Sequence, residues 1–359
     1  MSKIIFFSCN LCIGGMEKAL VTLINSIDTK KDEVTLVLEH KEGELCKELN
    51  KNVKIVDYDL SSNRNIIIRR FINLVKKIKF VIQNYHKYDC AISYATYSVL
   101  SSQMARKCSK NSIIFIHSDY YSLYNGEEEK IREFFQEIQA DKFNKIIFVS
   151  KESREKLIKV IPEIKAKSLV LGNLVDYKNI IELANKEEIK MNDKKNNIVF
   201  VGRLDDHSKN ISQLIEKINN NKEKDKFNLY IVGTGPDEIK LKKLCKSSNI
   251  IFLGEKENPY PYIKASDYLI LSSKYEGFPM VYSEATLLDT KIITTVPVED
   301  EQICYNGKNV IRLEKDLSNF DEIISGIVKH KMDSEVPKMD FEVINKNKMK
   351  IFKKIVTNK

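Results

Sequence analysis

No apolar run in this sequence approaches the roughly 20 residues a helix needs to cross a bilayer, and no signal-peptide pattern marks its N-terminus. Integral-membrane and exported classes are therefore set aside, and the expectation is a cytoplasmic protein. The dinucleotide pattern G-x-G-x-x-G is missing from the first strand-to-helix loop, where residues 9–18 read C-N-L-C-I-G-G-M-E-K. No recognisable nucleic-acid motif accompanies the formal net charge of +9, so no nucleic-acid partner is expected. The seven cysteines are odd in number and scattered, which fits reduced thiols rather than a disulfide framework. Cys9 and Cys12 spell C-x-x-C, yet Ile13-Gly14-Gly15 separate them from the helix start, unlike a thioredoxin-type redox site.

What is present suits two α/β domains. The chain has 359 residues, 43% hydrophobic and 30% charged, the composition of a globular protein and the length of two cores. Its positive excess suits nucleic acid, anionic lipid or an anionic substrate. Short apolar runs bounded by polar turns alternate with helical periodicity, which reads as two doubly wound units. The expected boundaries are a first Rossmann-like domain at 1–172, a linker at 173–196, a second Rossmann-like domain at 197–338 and a terminal helix at 339–359.

Residues 268–285 organise the rest. Tyr268-Leu269-Ile270-Leu271 has the apolar run of a buried strand, and Pro279 stands where a helix would open. Gly277 between them lets backbone approach a ligand. Glu276 falls on the loop and Glu284 in the second helical turn, flanking a helix start whose unpaired N–H groups make an anion seat. Eight helical residues span about 12 Å, whereas the carboxylates of a retaining glycosidase stand about 5 Å apart. The glutamates therefore suit the two ends of an elongated ligand with phosphates between, as in a nucleotide-sugar. Taken alone, they are as well a loop glutamate and a solvated helix glutamate.

A second cluster lies at 197–218. Gly202-Arg203 ends an apolar strand, and Lys209-Asn210 precedes a helix expected at 211–218. Strand end, Gly-Arg, Lys-Asn and helix together resemble the phosphate clamp of family 4 glycosyltransferases. Its physical need is plain: when a sugar–phosphate bond breaks, negative charge grows on the departing diphosphate, and fixed cations stabilise it more in the transition state than before. Each charge-assisted hydrogen bond is worth about 1.5–3 kcal/mol, so losing either cation should cost a power of ten or more in rate. The insert Asp205-Asp206-His207-Ser208 is acidic for such a place. In the first half, His117 follows the strand 112–116, where a polar residue points into the ligand crevice of an open α/β sheet. A structural histidine is the alternative.

In chain order, Gly14-Gly15-Met16-Glu17, His117, Gly202-Arg203 with Lys209-Asn210, Val232-Gly233-Thr234-Gly235-Pro236, and Glu276-Gly277-Phe278-Pro279 with Ser283-Glu284-Ala285 resemble the motifs of retaining GT-B glycosyltransferases of family 4, the glycosyl transferases group 1. The resemblance covers roughly residues 1–315. It implies an α/β GT-B fold: two Rossmann-like doubly wound domains facing a central cleft, with the acceptor on the first, the donor on the second, and the terminal helix crossing back to the first. It implies that Arg203 and Lys209 hold the diphosphate with the helix start at Phe278, Pro279 and Met280. Glu284 would bind ribose hydroxyls, while Glu276 and His117 would hold the donor sugar. His117, Glu276, Arg203 and Lys209 are thus the expected catalytic set. Gly14, Gly15, Gly233, Gly235 and Gly277 would bring backbone to the donor, and Lys256, just past Gly254, would meet the base. No metal or cofactor is implied. A UDP-sugar is the expected donor, and the leaving phosphate takes the acceptor's proton on the same face. Two motifs depart from the family: Asn173-Leu174-Val175-Asp176 lacks a proline, and residues 306–310, N-G-K-N-V, lack a final glycine.

Two further features stay open. Asp57-Tyr58-Asp59 spells the D-x-D of metal-dependent transferases, but it follows an apolar run and reads as a loop. Over 65–85, Ile67, Phe71, Leu74, Ile78, Ile82 and Tyr85 share one helical face, with Arg64, Arg69, Arg70, Lys76, Lys77 and Lys79 about it and no acid nearby. Such a helix either packs into its domain or lies on anionic headgroups, making the protein peripheral at the inner face of the plasma membrane. The expected activity is transfer from a nucleotide-sugar to a cell-surface polysaccharide or lipid-linked acceptor. Its rivals are a nucleotide-sugar epimerase and a non-catalytic glycosyltransferase-like partner subunit.

Overall fold

Near-continuous apolar runs make the strands here, because both faces of a parallel sheet are covered by helices. A computed structural model describes residues 1–299, 302, 309–329 and 338–357, and the chain divides into two compact units: Met1–Leu174 with Val343–Lys359, and Val175–Glu342.

The first unit holds β1 (Lys3–Ser8), β2 (Glu33–Leu38), β3 (Lys54–Asp57), β4 (Cys90–Ser93), β5 (Ser112–Ile116), β6 (Lys145–Phe148) and β7 (Ser168–Val170), in the order β3-β2-β1-β4-β5-β6-β7. Every pair is parallel. Ile5, Phe7, Ile114, Ile116 and Phe148 lie at the heart of its core. The helix Phe341–Thr357 completes it: Phe352 stacks on Phe6 with centroids 6.4 Å apart, and Lys348 Nζ donates to the Asn173 carbonyl at 2.9 Å.

The second unit holds β8 (Asn196–Val201), β9 (Phe227–Val232), β10 (Ile250–Gly254), β11 (Tyr268–Leu271), β12 (Lys291–Thr294) and β13 (Val310–Arg312), all parallel, in the order β10-β9-β8-β11-β12-β13. The helix Ile211–Asn220 buries Ile211, Leu214, Ile215 and Ile218. In each sheet the strand order reverses once, between β1 and β4 and between β8 and β11. Ligands of open parallel sheets bind outside the carboxyl ends at such points.

Several local expectations change. Within the expected linker 173–196 lies a helix, Tyr177–Ala184, which ends where Asn185 turns its amide back onto the Ile181 carbonyl at 2.8 Å. Pro279 caps the helix Met280–Leu287 from outside rather than occupying its first position. The loop before Lys209 is a helical turn, Asp206–Lys209, closed by Asn210 in the left-handed region. Asp57 and Asp59 are committed locally: Asp57 Oδ1 accepts from the Lys41 and Asp59 amides at 3.2 and 3.0 Å, and Asp59 pairs with Lys76 at 3.2 Å. The 306–310 motif falls largely outside the described residues, at 306–308. Among the described residues, no helix is long and apolar enough to cross a membrane.

Candidate active site

At the reversal point of the second sheet, β8 delivers Gly202 and Arg203 and β11 delivers Ser272 and Ser273. Three loops are pressed together there by backbone bonds: Gly202 N–H to Val232 O at 3.0 Å, Leu204 N–H to Thr234 O at 2.9 Å, and Gly233 N–H to Gly254 O at 2.8 Å. Glycine makes the approach possible. Gly233 has φ +139°, and a Cβ there would lie 1.9 Å from the Gly202 carbonyl oxygen; one on Gly235 would lie 2.5 Å from that of Leu204.

Lys209 ends the turn Asp206–Lys209, and its ammonium forms an ion pair with Glu276 Oε1. Ser273 Oγ donates to the same oxygen at 2.7 Å. Two further bonds join these loops: Ser272 Oγ to the Lys209 carbonyl at 2.9 Å, and Lys274 N–H to the Ser208 carbonyl at 2.8 Å. The paired side chains are 20% and 16% exposed, so each charge is partly desolvated and strongly felt by its partner. Arg203 is exposed and makes no ion pair among the described residues.

The acidic insert now has a physical reason. Asp206 accepts from the Ser212 amide at 2.7 Å and pairs with Lys240 at 3.0 Å, tying together the turn Asp206–Lys209, the helix Ile211–Asn220 and the helix Glu238–Leu244. Burial works against its charge, but the bonds from Ser212 and Lys240 prevail and hold the carboxyl below the usual range. Asp205 Oδ1 caps the turn by accepting from the His207 amide at 3.2 Å.

Pro279 precedes the helix Met280–Leu287, whose start has no side-chain cap, and Gln302 Nε2 donates to the Pro279 carbonyl at 2.8 Å. Phe278 and Glu284 are buried, while Gly277 and Met280 remain partly exposed. Lys256 stands over the Tyr262 ring, 5.7 Å from its centroid. The second unit therefore joins Lys209, Glu276, Gly233 and Gly235 into one edge, with Arg203 on its exposed side.

In the first unit, His117 follows β5 and packs 4.3 Å from the Tyr94 ring and 5.7 Å from Phe115, centroid to centroid. Burial pushes its imidazole down to about 3, so it is neutral at physiological pH. Its Nε2 is enclosed and has no hydrogen-bond partner among the described residues. A buried polar atom left unpaired is costly, and it marks where a ligand group would be satisfied. Gly14 caps the helix Gly15–Asn25 and carries no side chain; a Cβ there would lie 2.3 Å from Glu17 Oε2. Burial raises the Cys9 thiol to about 12 and also raises Cys12, so neither carries the thiolate a redox pair needs.

Two groups escaped the sequence reading. Glu39, just past β2, is buried and accepts from Ser98 Oγ and, at 2.7 Å, from Ser101 Oγ. Ser273 orients Glu276. The available signal in both cases was position immediately past a parallel strand.

Two family descriptions match the chain: "Glycosyltransferase Family 4" over residues 13–178 and "Glycosyl transferases group 1" over residues 182–311. A Campylobacter jejuni protein named N-acetylgalactosamine-N,N'-diacetylbacillosaminyl-diphospho-undecaprenol 4-alpha-N-acetylgalactosaminyltransferase is 26% identical over 314 residues, 82% of this chain and 81% of its own. The capsular polysaccharide biosynthesis glycosyltransferase CapH of Staphylococcus aureus is 24% identical, over 84% of each chain. Among solved structures, Anabaena HepE in complex with UDP and glucose superposes with a TM-score of 0.73 at 15% identity, covering 98% of this chain and 100% of that one.

Proposed function

The chain belongs to the glycosyl transferases group 1 and has their GT-B fold of two Rossmann-like units, and from that premise we propose that it moves a sugar, with retention at the anomeric carbon, from a UDP-sugar to a lipid-linked or polysaccharide acceptor. The observation that carries this reading is the Lys209–Glu276 pair, held by Ser272 and Ser273 at the reversal point of the donor-side sheet. A cation and a carboxylate already positioned there suit a ligand with a diphosphate beside sugar hydroxyls. The donor class is supported by the UDP and glucose bound in HepE, and the acceptor class by the undecaprenol-diphosphate named for the Campylobacter relative.

In the proposed reaction the diphosphate draws Lys209 away from Glu276, which then accepts from the donor sugar. Arg203 and the uncapped start of Met280–Leu287 stabilise the growing phosphate charge. Glu284 binds ribose hydroxyls, Lys256 lies near the base, and neutral His117 offers its unpaired nitrogen to a sugar hydroxyl. The bond from the anomeric carbon to phosphate oxygen breaks as the bond to the acceptor oxygen forms on the same face. The acceptor's proton passes to that phosphate oxygen, so no enzyme nucleophile is needed. Because Lys209 and Arg203 supply the countercharge, transfer is expected at the same rate with and without EDTA.

The test is release of UDP from a panel of UDP-sugars, with and without a short polyprenyl-diphosphate acceptor. We expect release that rises only with acceptor, a product of unchanged anomeric configuration, and a higher melting temperature with the true donor. A donor epimerised without acceptor, or no donor consumed at all, would sink the assignment.

A further inference from the structure

The helix Ile66–Asn84 has no buried residue along its 19 positions. Its inner strip makes the contacts: Phe80 meets the Phe7 and Tyr58 rings edge-on at 6.1 and 5.8 Å, Lys76 pairs with Asp59, and Lys77 Nζ donates to Gln103. On the other side, Ile67, Phe71, Leu74, Ile78 and Ile82 are between 51 and 75% exposed. At about 100° per residue these five fall within a sector of about 80°, roughly opposite Phe80. By the same geometry Arg70 borders the stripe on one side and Lys79 on the other, both exposed, whereas Arg69 falls on the opposite side near Phe80. No acidic residue occurs between Asp59 and Asp89. A contiguous apolar patch of this kind marks an interaction surface.

We propose that this helix docks the protein on an anionic lipid bilayer, with the apolar stripe among the acyl chains just below the headgroups and Arg70 and Lys79 on the lipid phosphates. Charge selects this occupant. A second copy of the chain seated on the same face would bring two basic borders together with no acid in the segment to pair them. Lys76 and Lys77 are held inward by Asp59 and Gln103 and take little part. The inference stands on this helix alone, whatever sugar is transferred.

The sequence contains no tryptophan, so Phe71→Trp supplies a single fluorophore on the stripe. We expect its emission to shift blue, and the full chain to co-sediment, with vesicles of phosphatidylcholine and phosphatidylglycerol but hardly with phosphatidylcholine alone. Combined Arg70→Glu and Lys79→Glu should lower partitioning about twentyfold or more, since each near-surface cation contributes about a factor of five. Lys76→Gln with Lys77→Gln should leave it within about threefold, and unchanged circular dichroism confirms that each variant folds. No blue shift with anionic vesicles, equal loss from the two sets of changes, or a concentration-dependent dimer broken by Ile78→Glu would each overturn the proposal.

Discussion

At the carboxyl edge of the first sheet His117 and Cys9 are neutral, whereas the edge of the second carries an ammonium, a carboxylate and an exposed guanidinium. Burial drives the first pattern: His117 is pushed down to about 3 and Cys9 up to about 12. Pairing marks the second, where Lys209 and Glu276 meet as an ion pair at one-fifth exposure or less. A neutral imidazole with an unpaired nitrogen suits a hydroxyl, and a preformed cation suits a phosphate. The two edges share a fold but differ in the charge they can meet.

The contrast can be broken most decisively at Lys209. Lys209→Ala is expected to lower turnover about a hundredfold or more, because the charge on the departing phosphate loses its fixed partner, while melting shifts by only a few degrees. An unchanged turnover would leave the second edge without the role given to it. Next in size, Gly233→Ala forces a side chain into positive φ and against the Gly202 carbonyl. It should cost about 2–4 kcal/mol in chemical denaturation, and a neutral result would mean that the three loops need not touch.

The first edge is probed by acid. His117 in the folded chain titrates near 3 and in the unfolded chain near its ordinary 6.5. As pH falls below 6.5 the unfolded chain takes up the proton first, so stability present above that pH is lost towards 3, by at most about 1.4 kcal/mol per pH unit. His117→Gln should flatten that slope, and an unaltered slope would show that burial does not hold the imidazole neutral. The smallest effect is expected at Cys9, where Cys9→Ser should leave transfer within about twofold, since a thiol raised to about 12 is already inert.

Much of the second edge was legible because its chemistry is written in short spacings. Gly233 and Gly235 follow an apolar run, Arg203 ends another, and Glu276 precedes Gly277 by one residue. Contacts distant in sequence were not legible. Lys209 and Glu276 are 67 residues apart, and Asp206 reaches Lys240 across 34, so an acidic insert that looked misplaced beside phosphates is a tie between helices. Nor does periodicity say which way a face turns. The stripe of Ile67, Phe71, Leu74 and Ile78 has the spacing of a core face, as does that of Ile211, Leu214, Ile215 and Ile218. Only the latter is buried. The difference lies in what packs nearby: Phe80, Lys76 and Lys77 anchor the first helix from its other side.

Because Phe352 and Lys348 complete a unit that begins at the first strand, the order of synthesis and the order of assembly diverge. Residues 175–342 leave the ribosome as one uninterrupted body able to close on itself, while the earlier-made sheet waits with Phe6 unstacked until residues 343–359 arrive. A stalled or nicked chain lacking 343–359 would therefore lose the older unit and spare the younger one.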